Sequence, residues 1–215
     1  SWAEVTVLER EPHLGYHASG RSAALFSETY GNAPVRALSL ASRQQIVDGG
    51  FAAHRRGALH VGGVEDSAAV DRMAAEMQAL VPSVRRLSAA QVNALVPVIA
   101  TETTCGGVHE PGALDVDTGR MLAASASALK AGGGVIRNGE EVREISRAES
   151  GFRVTTNTGS YQADIVVNAA GAWVDVVAGL AGLSGLGFQP KRRTAFLFDP
   201  PAGTDISAWP LVDGD

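Results

Sequence analysis

The first half of the chain changes between the two-residue period of strands and the 3.6-residue period of helices. Residues 5–8 are β-branched or leucine and are followed by an acid, Glu9, which predicts a strand. Residues 34–48 and 67–80 carry apolar side chains at helical spacing and predict two helices. Residues 58–64, with their glycine pair, predict a short strand between these helices.

The second half predicts a denser succession of elements. Ser88 followed by Gln91 predicts a capping box at the start of a third helix. The further predicted elements are a strand at 106–109, a helix at 119–131, strands at 135–138 and 141–147, and a hairpin at 152–162. The apolar run 165–168 predicts a strand buried on both faces, as in a parallel sheet, leading into a helix at 172–181. Residues 191–198 alternate and predict a final strand.

These elements predict an α/β fold, because strand and helix alternate at both ends of the chain. Residues 51–110 are less regular and are interpreted as an insertion. The apolar fraction of 45% in 215 residues is enough for a real core.

Charge and cysteine content exclude several classes of partner. A net charge of −5 leaves no basic surface for nucleic acid. The one cysteine, Cys105, excludes an internal disulfide and a cysteine zinc site, and favours a reducing compartment such as the cytoplasm, either free or at the inner membrane surface. Asp175 interrupts the apolar stretch 165–188, so no membrane span is predicted. No metal site is expected either.

Glu9 has the placement of a ribose-binding acid. In dinucleotide folds, a carboxylate at the end of a strand binds the ribose hydroxyls, about 20 residues after a glycine-rich phosphate turn. Only eight residues precede Glu9. Either Glu9 is a solvated acid at a strand end, or the chain starts in the middle of a domain.

Two further segments have the composition of a ligand site. Residues 19–24 are small except for Arg21 and can begin a helix whose free N–H groups attract an anion, although a serine-capped alanine helix in a core has the same composition. Residues 166–172 pass from a predicted buried strand to small residues, which favours a ligand at the strand end over tight packing alone.

Two side chains are candidates for substrate contact. Tyr30 is either a core aromatic or a hydroxyl directed at a substrate. Arg192 and Arg193 would point to opposite faces of the predicted last strand, so one can hold a carboxylate in a pocket while the other faces solvent. The histidines show neither metal spacing nor a nucleophile partner.

The motifs VTVLERE, GYHASGRSAA, DVDTGRML, ADIVVNAAGAW and LGFQPKRRTAFLF together resemble the FAD-dependent D-amino-acid oxidase superfamily. The resemblance runs along essentially all of the chain, and within the superfamily the likeness is greatest to bacterial D-arginine dehydrogenases. It implies a Rossmann-like FAD-binding domain interleaved with a mixed-sheet substrate domain. The FAD-binding parts would be residues 1–50 and 112–186, and the substrate parts 51–111 and 187–215, with the first strand and the glycine-rich turn missing and both ends truncated.

The resemblance also implies residue roles. Glu9 would bind the adenosine ribose and Arg10 would lie beside the adenine, while Val142 would contact the adenine through its backbone. The remaining cofactor residues would be Ala18, Ser19, Gly20, Arg21, Ser22, Ala23, Ala24, Leu25, Ala169, Ala170 and Gly171. On the substrate side, Tyr30 would border the substrate, Ser27 would stand where relatives have threonine, and Arg193 would bind the substrate carboxylate.

The implied reaction is hydride transfer from the Cα of a D-amino acid to flavin N5, giving an imino acid that hydrolyses to a keto acid and ammonia. The electron acceptor would be a quinone or oxygen. Leu25 and Ala58 replace a histidine and a glutamate of the arginine-specific relatives, so an N-methyl amino acid or 2-hydroxy acid substrate stays open. Two further hypotheses also stay open, namely that the chain is an inactive module or an NAD-dependent dehydrogenase.

Overall fold

The structure is a computed structural model that describes residues 3–192, 194 and 196–214. Residues 1–21 and 119–197 form one compact unit, called the first unit, and residues 22–118 and 198–215 form the second unit. The predicted FAD-binding and substrate parts also alternate along the chain, but with boundaries at 50, 111 and 186.

The bounds of the strands and helices are as follows. The strands are β1 Thr6–Glu9, β2 Leu25–Phe26, β3 Ala52–His54, β4 Ala58–Gly63, β5 Arg85–Leu87, β6 Thr104–Glu110, β7 Leu114–Val116, β8 Val135–Asn138, β9 Val142–Arg147, β10 Phe152–Thr156, β11 Ser160–Ala163 and β12 Leu211–Gly214. The α-helices are α1 Ala33–Asp48, α2 Ser67–Leu80, α3 Ala89–Leu95, α4 Thr118–Ala131 and α5 Val174–Leu180, and short 3₁₀ helices lie at Ser19–Arg21, Thr101–Thr103 and Gly171–Trp173.

The first unit contains a parallel pair and an antiparallel meander. β1 pairs in parallel with β8, with Glu9 opposite Asn138 at the carboxyl ends of both strands. β9, β10 and β11 form a three-stranded antiparallel sheet. Parallel strands need a long crossover, and α4 lies in the chain directly before β8.

The second unit holds the larger core. Its four-stranded sheet has the order β12-β4-β6-β5, and a second sheet has the order β2-β7-β3. Leu59 on β4 pairs with His109 on β6, so Leu59 and the neighbouring Val108 point to opposite faces of the sheet. Val108 packs with α2 residues in one apolar cluster, and Leu59 packs with α3 residues in another.

Local sequence signals explain the helix boundaries in this unit. The Asn32 side chain accepts a hydrogen bond from the Val35 N–H and caps α1, with Pro34 in the first turn. Ser88 and Gln91 form the predicted capping box at the start of α3. The predicted helix at 67–80 is confirmed as α2.

Two strand predictions are wrong. Residues 165–168 form no strand, and Ile165 and Val167 are 77% and 80% exposed, because no strand among the described residues lies beside them to complete a ladder. For the same reason, the described residues of 191–198 form no strand and are exposed; Arg193 and Ala195 lie outside the described residues. Residues 51–110 do lie within a segment, 22–118, that interrupts the first unit, as the interpretation as an insertion implies. They are not irregular, however, because they contain three of the four strands of the main sheet.

Candidate functional site

Glu9 lies at the end of β1 with part of its carboxylate available. Its Oε1 accepts a hydrogen bond from the Glu11 N–H at 2.9 Å, and its backbone carbonyl accepts one from the Glu140 N–H at 2.9 Å. Within residues 3–192, 194 and 196–214, Glu9 Oε2 has no hydrogen-bond partner. The turn after β1 is therefore fixed by backbone bonds while one carboxylate oxygen can accept from a ligand.

Arg10, Glu11, His17 and Trp173 form a cluster beside this acid. The Arg10 guanidinium lies over the Trp173 ring at 4.5 Å, and the His17 ring lies 4.6 Å from the same ring. Glu11 Oε1 accepts from Arg10 Nη2 at 2.8 Å and contacts His17 Nε2 at 2.8 Å. The hydrogen bonds from His17 and then Arg10 hold the pKa of Glu11 below its usual value.

Glu140 anchors the turn between β8 and β9. Its carboxylate accepts hydroxyl hydrogen bonds from Thr156 at 2.6 Å, Thr158 at 2.6 Å and Tyr161 at 3.0 Å. Hydrogen bonds from Thr156 and Thr158 lower the pKa of this carboxyl. Because the Glu140 N–H bonds the Glu9 carbonyl, Val142 at the start of β9 lies close to the predicted ribose acid.

Ala169, Ala170 and Gly171 lead into Trp173 through an irregular segment. The Asn168 side chain accepts from the Ala170 N–H and donates to the Val174 carbonyl, which holds this turn. Gly171 has φ +55°, and a Cβ there would meet no atom within 4 Å. The backbone at Gly171 is therefore not covered by neighbouring atoms, and the ligand contact at this turn stays a prediction.

Residues 19–24 do not begin an α-helix, which corrects that prediction. Ser19–Arg21 is a single 3₁₀ turn, in which the Gly20 N–H donates to the Gly15 carbonyl at 2.8 Å. The chain then extends into β2, because the Ala24 carbonyl accepts from the Val116 N–H and ties it to the second unit. Ala18 and Arg21 thus lie in the first unit, and residues 22–25 in the second.

In the second unit, residues 22–25 lead directly to the predicted substrate residues. Ala24 has φ +56°, Ser22 Oγ accepts from its N–H, and Ala23 lies between them. Leu25 pairs with Asp115 in the β2-β7 ladder. Among the described residues, Arg192 has no ion pair with an acid.

Ser27, Thr29 and Tyr30 follow on one segment. Ser27 is buried, and its hydroxyl donates to Glu110 at 2.7 Å. Tyr30 is 64% exposed and so is not a core aromatic, which was one of its two predicted roles. Arg193 lies outside the described residues.

A separate groove of about 370 Å³ lies between α3 and β6. It is lined by Leu87, Gln91, Ala94, Leu95 and His109, none of which was a predicted site residue. Burial lowers the pKa of His109, which disfavours its charged form. This groove presents few polar groups and does not include Tyr30 or Ser27.

Sequence reasoning missed Glu11, His17, Glu140 and Trp173. Trp173 follows the small-residue motif directly, and Glu11 and His17 flank the predicted turn, so proximity to a motif was a usable signal. Glu140 has no such signal, because its hydroxyl partners come from a hairpin whose register the sequence leaves open.

Among the described residues, no helix combines the length and the apolar character that a membrane span requires.

Residues 1–215 match the family model for DAO, FAD dependent oxidoreductase. The chain belongs to the DAO family. FAD is therefore its cofactor. A curated relative, glycine oxidase of Geobacillus kaustophilus (strain HTA426), is 30% identical over 105 residues, which is 49% of this chain and 28% of that protein.

Solved structures show the same fold. Glycine oxidase from Geobacillus kaustophilus superposes with a TM-score of 0.74 at 23% identity, over 84% of this chain and 52% of that one. L-proline dehydrogenase from P. horikoshii has a TM-score of 0.71 at 20% identity, over 84% and 50%. L-alpha-glycerophosphate oxidase from Mycoplasma pneumoniae, solved with FAD bound, has a TM-score of 0.74 at 19% identity, over 83% and 50%. The chain spans about half the length of these structures.

The residues of the first unit fit an adenosine group. Glu9 presents a carboxylate oxygen at the carboxyl end of a parallel strand pair, where α/β sheets bind ligands. Gly139 and Gly171 both have positive φ, and a Cβ at either would meet no atom within 4 Å. An acid for the ribose hydroxyls and open backbone beside it are what this half of FAD requires.

Proposed function

We propose that the protein oxidises the Cα–N bond of a D-amino acid with FAD. The observation that supports FAD binding in this proposal is the Glu9 carboxylate, which lies at the end of β1 with its Oε2 open to a ligand. The amino-acid half is supported by membership of the DAO family and by the glycine oxidase and L-proline dehydrogenase named among the similar proteins. The likeness to D-arginine dehydrogenases remains part of this proposal.

Bound FAD supplies the hydride acceptor, and the imino acid released hydrolyses to a keto acid and ammonia. The chain's own residues bind and orient the substrate. The resemblance assigns Arg193 to the substrate carboxylate, which an arginine can hold through two parallel hydrogen bonds, and Tyr30 would border the substrate from an exposed position. Ser27 donates to Glu110, so its contribution is to hold the segment that carries Tyr30. A free amine on the substrate needs no strong protein base.

The preference for an arginine side chain is weakened by Ala58. Ala58 is 2% exposed and pairs with the buried Glu110 in the β4-β6 ladder. A glutamate at 58 would place a second carboxylate beside Glu110, which is unfavourable for two buried acids. Ala58 supplies no acid to pair with a cationic substrate, and a buried cation without a partner is costly. We therefore propose a substrate with an uncharged side chain.

A second candidate function is oxidation of an N-methyl amino acid or a 2-hydroxy acid. One similar structure is an L-alpha-glycerophosphate oxidase, so the shared fold extends beyond amine oxidoreductases. The carboxylate contact proposed for Arg193 would serve these substrates equally well.

A substrate panel decides between them. The FAD-loaded whole protein is mixed anaerobically with D-amino acids, their L-enantiomers, sarcosine and 2-hydroxy acids, and flavin bleaching is followed. Bleaching by neutral D-amino acids with ammonia release supports the proposal, whereas bleaching only by sarcosine or hydroxy acids contradicts it. Reoxidation by oxygen or by a quinone analogue then identifies the acceptor, and the same protein without substrate is the control.

A further inference from the structure

Glu110 is a fully buried carboxylate at the end of the central strand β6. Its relative exposure is 0%, and it belongs to no ion pair among the described residues. Its Oε2 accepts from the Ser27 hydroxyl at 2.7 Å and the Thr29 hydroxyl at 2.6 Å, and its Oε1 accepts from the Glu28 N–H at 2.9 Å. Every one of these donors comes from the three residues directly before Tyr30.

This arrangement fixes the segment 27–29 against the sheet. A buried carboxylate without partners is costly, so the three donors and Glu110 hold one another in place. β6 lies between β4 and β5, so it has a hydrogen-bonded neighbour on each side. Glu110 thus ties the backbone on the amino-terminal side of Tyr30 to the sheet.

A second clamp acts on the same segment through Glu28. Glu28 Oε2 accepts from Arg43 Nη1 at 2.8 Å, and the Arg43 guanidinium also donates to the Gly112 carbonyl at 3.1 Å. Gly112 lies two residues after Glu110, so Arg43 of α1 links the segment 27–29 to the turn that follows β6. The Glu28 and Arg43 side chains are only 12% and 26% exposed.

The backbone on the carboxyl-terminal side of Tyr30 is fixed as well. Gly31 has φ +85°, a region that favours glycine. Asn32 then caps α1 by accepting from the Val35 N–H at 3.2 Å. Tyr30 is consequently an exposed aromatic on a backbone that is fixed on both sides, which is the layout of a preorganised ligand contact.

We propose that Glu110 is a positioning residue that holds residues 27–29 and thereby presents Tyr30 to the substrate. The ligand in this statement rests on the proposed function, whereas the positioning itself is a property of the fold. Glu110 acts through Tyr30 and does not touch the substrate, because it is fully buried.

The positioning is tested by ¹⁹F NMR of the chain labelled with 3-fluorotyrosine. The sequence has three tyrosines, and Tyr16 and Tyr161 belong to the first unit, so they are internal controls. Tyr30→Phe assigns the Tyr30 resonance. In Glu110→Ala and in the milder Thr29→Val, the Tyr30 resonance should move and broaden while the other two stay unchanged.

Two further variants sharpen this experiment. Glu110→Gln should restore most of the Tyr30 signal, because its amide oxygen can accept from the Glu28 N–H while its NH₂ donates to the two hydroxyl oxygens. Thr104→Val is the matched control: Thr104 is also buried, and its hydroxyl donates to the Gly62 carbonyl at 2.6 Å near the other end of β6. An unchanged Tyr30 signal in folded Thr29→Val, or an equal change in Thr104→Val, overturns the proposal. Thr29→Val decides the matter if Glu110→Ala does not fold.

The FAD-loaded whole protein separates positioning from general stability. A loosened Tyr30 should raise KM roughly tenfold with kcat within about twofold in Thr29→Val, since misplaced contacts of this kind weaken binding. A merely structural loss would lower the active fraction and leave KM unchanged, which also overturns the proposal. Absence of turnover in every protein, with the ¹⁹F changes as expected, contradicts the proposed function and leaves the positioning supported.

Discussion

The guanidinium carbon of Arg10 lies 4.5 Å from the centroid of the Trp173 ring. Arg10 follows the end of β1, and Trp173 ends the 3₁₀ turn before α5, so the contact joins two segments far apart in the sequence. Both segments were predicted to line the cofactor, one through Glu9 and the other through Ala169 to Gly171. The cation–π contact therefore joins the two segments that are predicted to line the cofactor.

Replacing Arg10 by methionine should destabilise the first unit by about 0.5–1 kcal/mol, the range expected for a partly exposed cation–π pair. Urea unfolding followed by circular dichroism measures this change. Arg143→Met is the control, because Arg143 is 63% exposed and, among the described residues, pairs with Glu141 alone, at 3.5 Å. Equal effects of the two substitutions would contradict a stabilising role for the contacts of Arg10 with Trp173 and Glu11.

Glu140 should make stability depend on pH. Hydrogen bonds from Thr156 and Thr158 lower the pKa of its carboxyl in the folded state below the usual 4.5. A lowered pKa means that the carboxylate stabilises the fold above its unfolded pKa and that this contribution is lost as pH falls through the folded pKa. Glu140→Gln should therefore be less stable than the natural protein at pH 7, with the difference shrinking below about pH 4.5.

The measurement is thermal unfolding of both proteins from pH 3 to pH 7. Glu144→Gln, an exposed acid on β9, removes the same charge from the same unit and should follow the natural protein closely. A Glu140→Gln difference that stays constant across this range would show that the carboxylate charge is not what the hydroxyls stabilise.

Elements defined by local signals were predicted well. The capping box of Ser88 and Gln91 and the boundaries of α2 depend on residues close in sequence, and these predictions are confirmed. The strand prediction at 165–168 depended on an apolar run alone. An apolar run predicts burial, but a strand also needs a hydrogen-bonded neighbour, and the structure provides none there among the described residues.

The candidate site also combines residues that local patterns predict with residues that only distant contacts bring together. Glu9 could be singled out because an acid after a β-branched run is a local pattern. Glu110 could not, because its three donors lie more than 80 positions away in the chain. Only the pairing of β2, β6 and β7 residues in three dimensions brings a carboxylate to the segment before Tyr30.

Two glycines of the β10-β11 hairpin region should respond oppositely to alanine. Gly151 has φ +69°, and a Cβ there would clash with the Ala163 carbonyl, so Gly151→Ala should cost roughly 1–3 kcal/mol. Gly159 has no positive φ and open space around its Cα, so Gly159→Ala should be neutral or slightly stabilising. Thermal melts of the two variants test this pair, and a neutral Gly151→Ala would contradict the hairpin geometry.

We expect these 215 residues alone to purify colourless. The chain contains no Gly-x-Gly-x-x-Gly sequence, which in dinucleotide folds supplies the N–H groups that hold the pyrophosphate. Without that turn, FAD should dissociate during gel filtration even though the adenosine contacts are present. Absorbance at 450 nm after gel filtration is the measurement, and stoichiometric flavin at that stage would contradict the expectation.

The ribose contact of Glu9 can be tested on the same chain with adenine nucleotides. Glu9→Gln should weaken ADP binding about 10–100-fold, the effect of losing hydrogen bonds to a charged group. Glu4→Gln, an exposed acid on the same segment, should leave ADP binding unchanged. Isothermal titration of the chain with ADP measures both.

Removing the ribose hydroxyls and the Glu9 carboxylate separately and together tests whether they contact each other. The natural chain should bind 2′,3′-dideoxy-ADP about 10–100-fold more weakly than ADP, because the ribose hydroxyls that donate to Glu9 are gone. Glu9→Gln has already lost this contact, so it should bind the two nucleotides almost equally. If the natural chain and Glu9→Gln discriminate between the nucleotides to the same extent, another group binds the ribose, and the assignment of Glu9 from its position at the end of β1 is wrong.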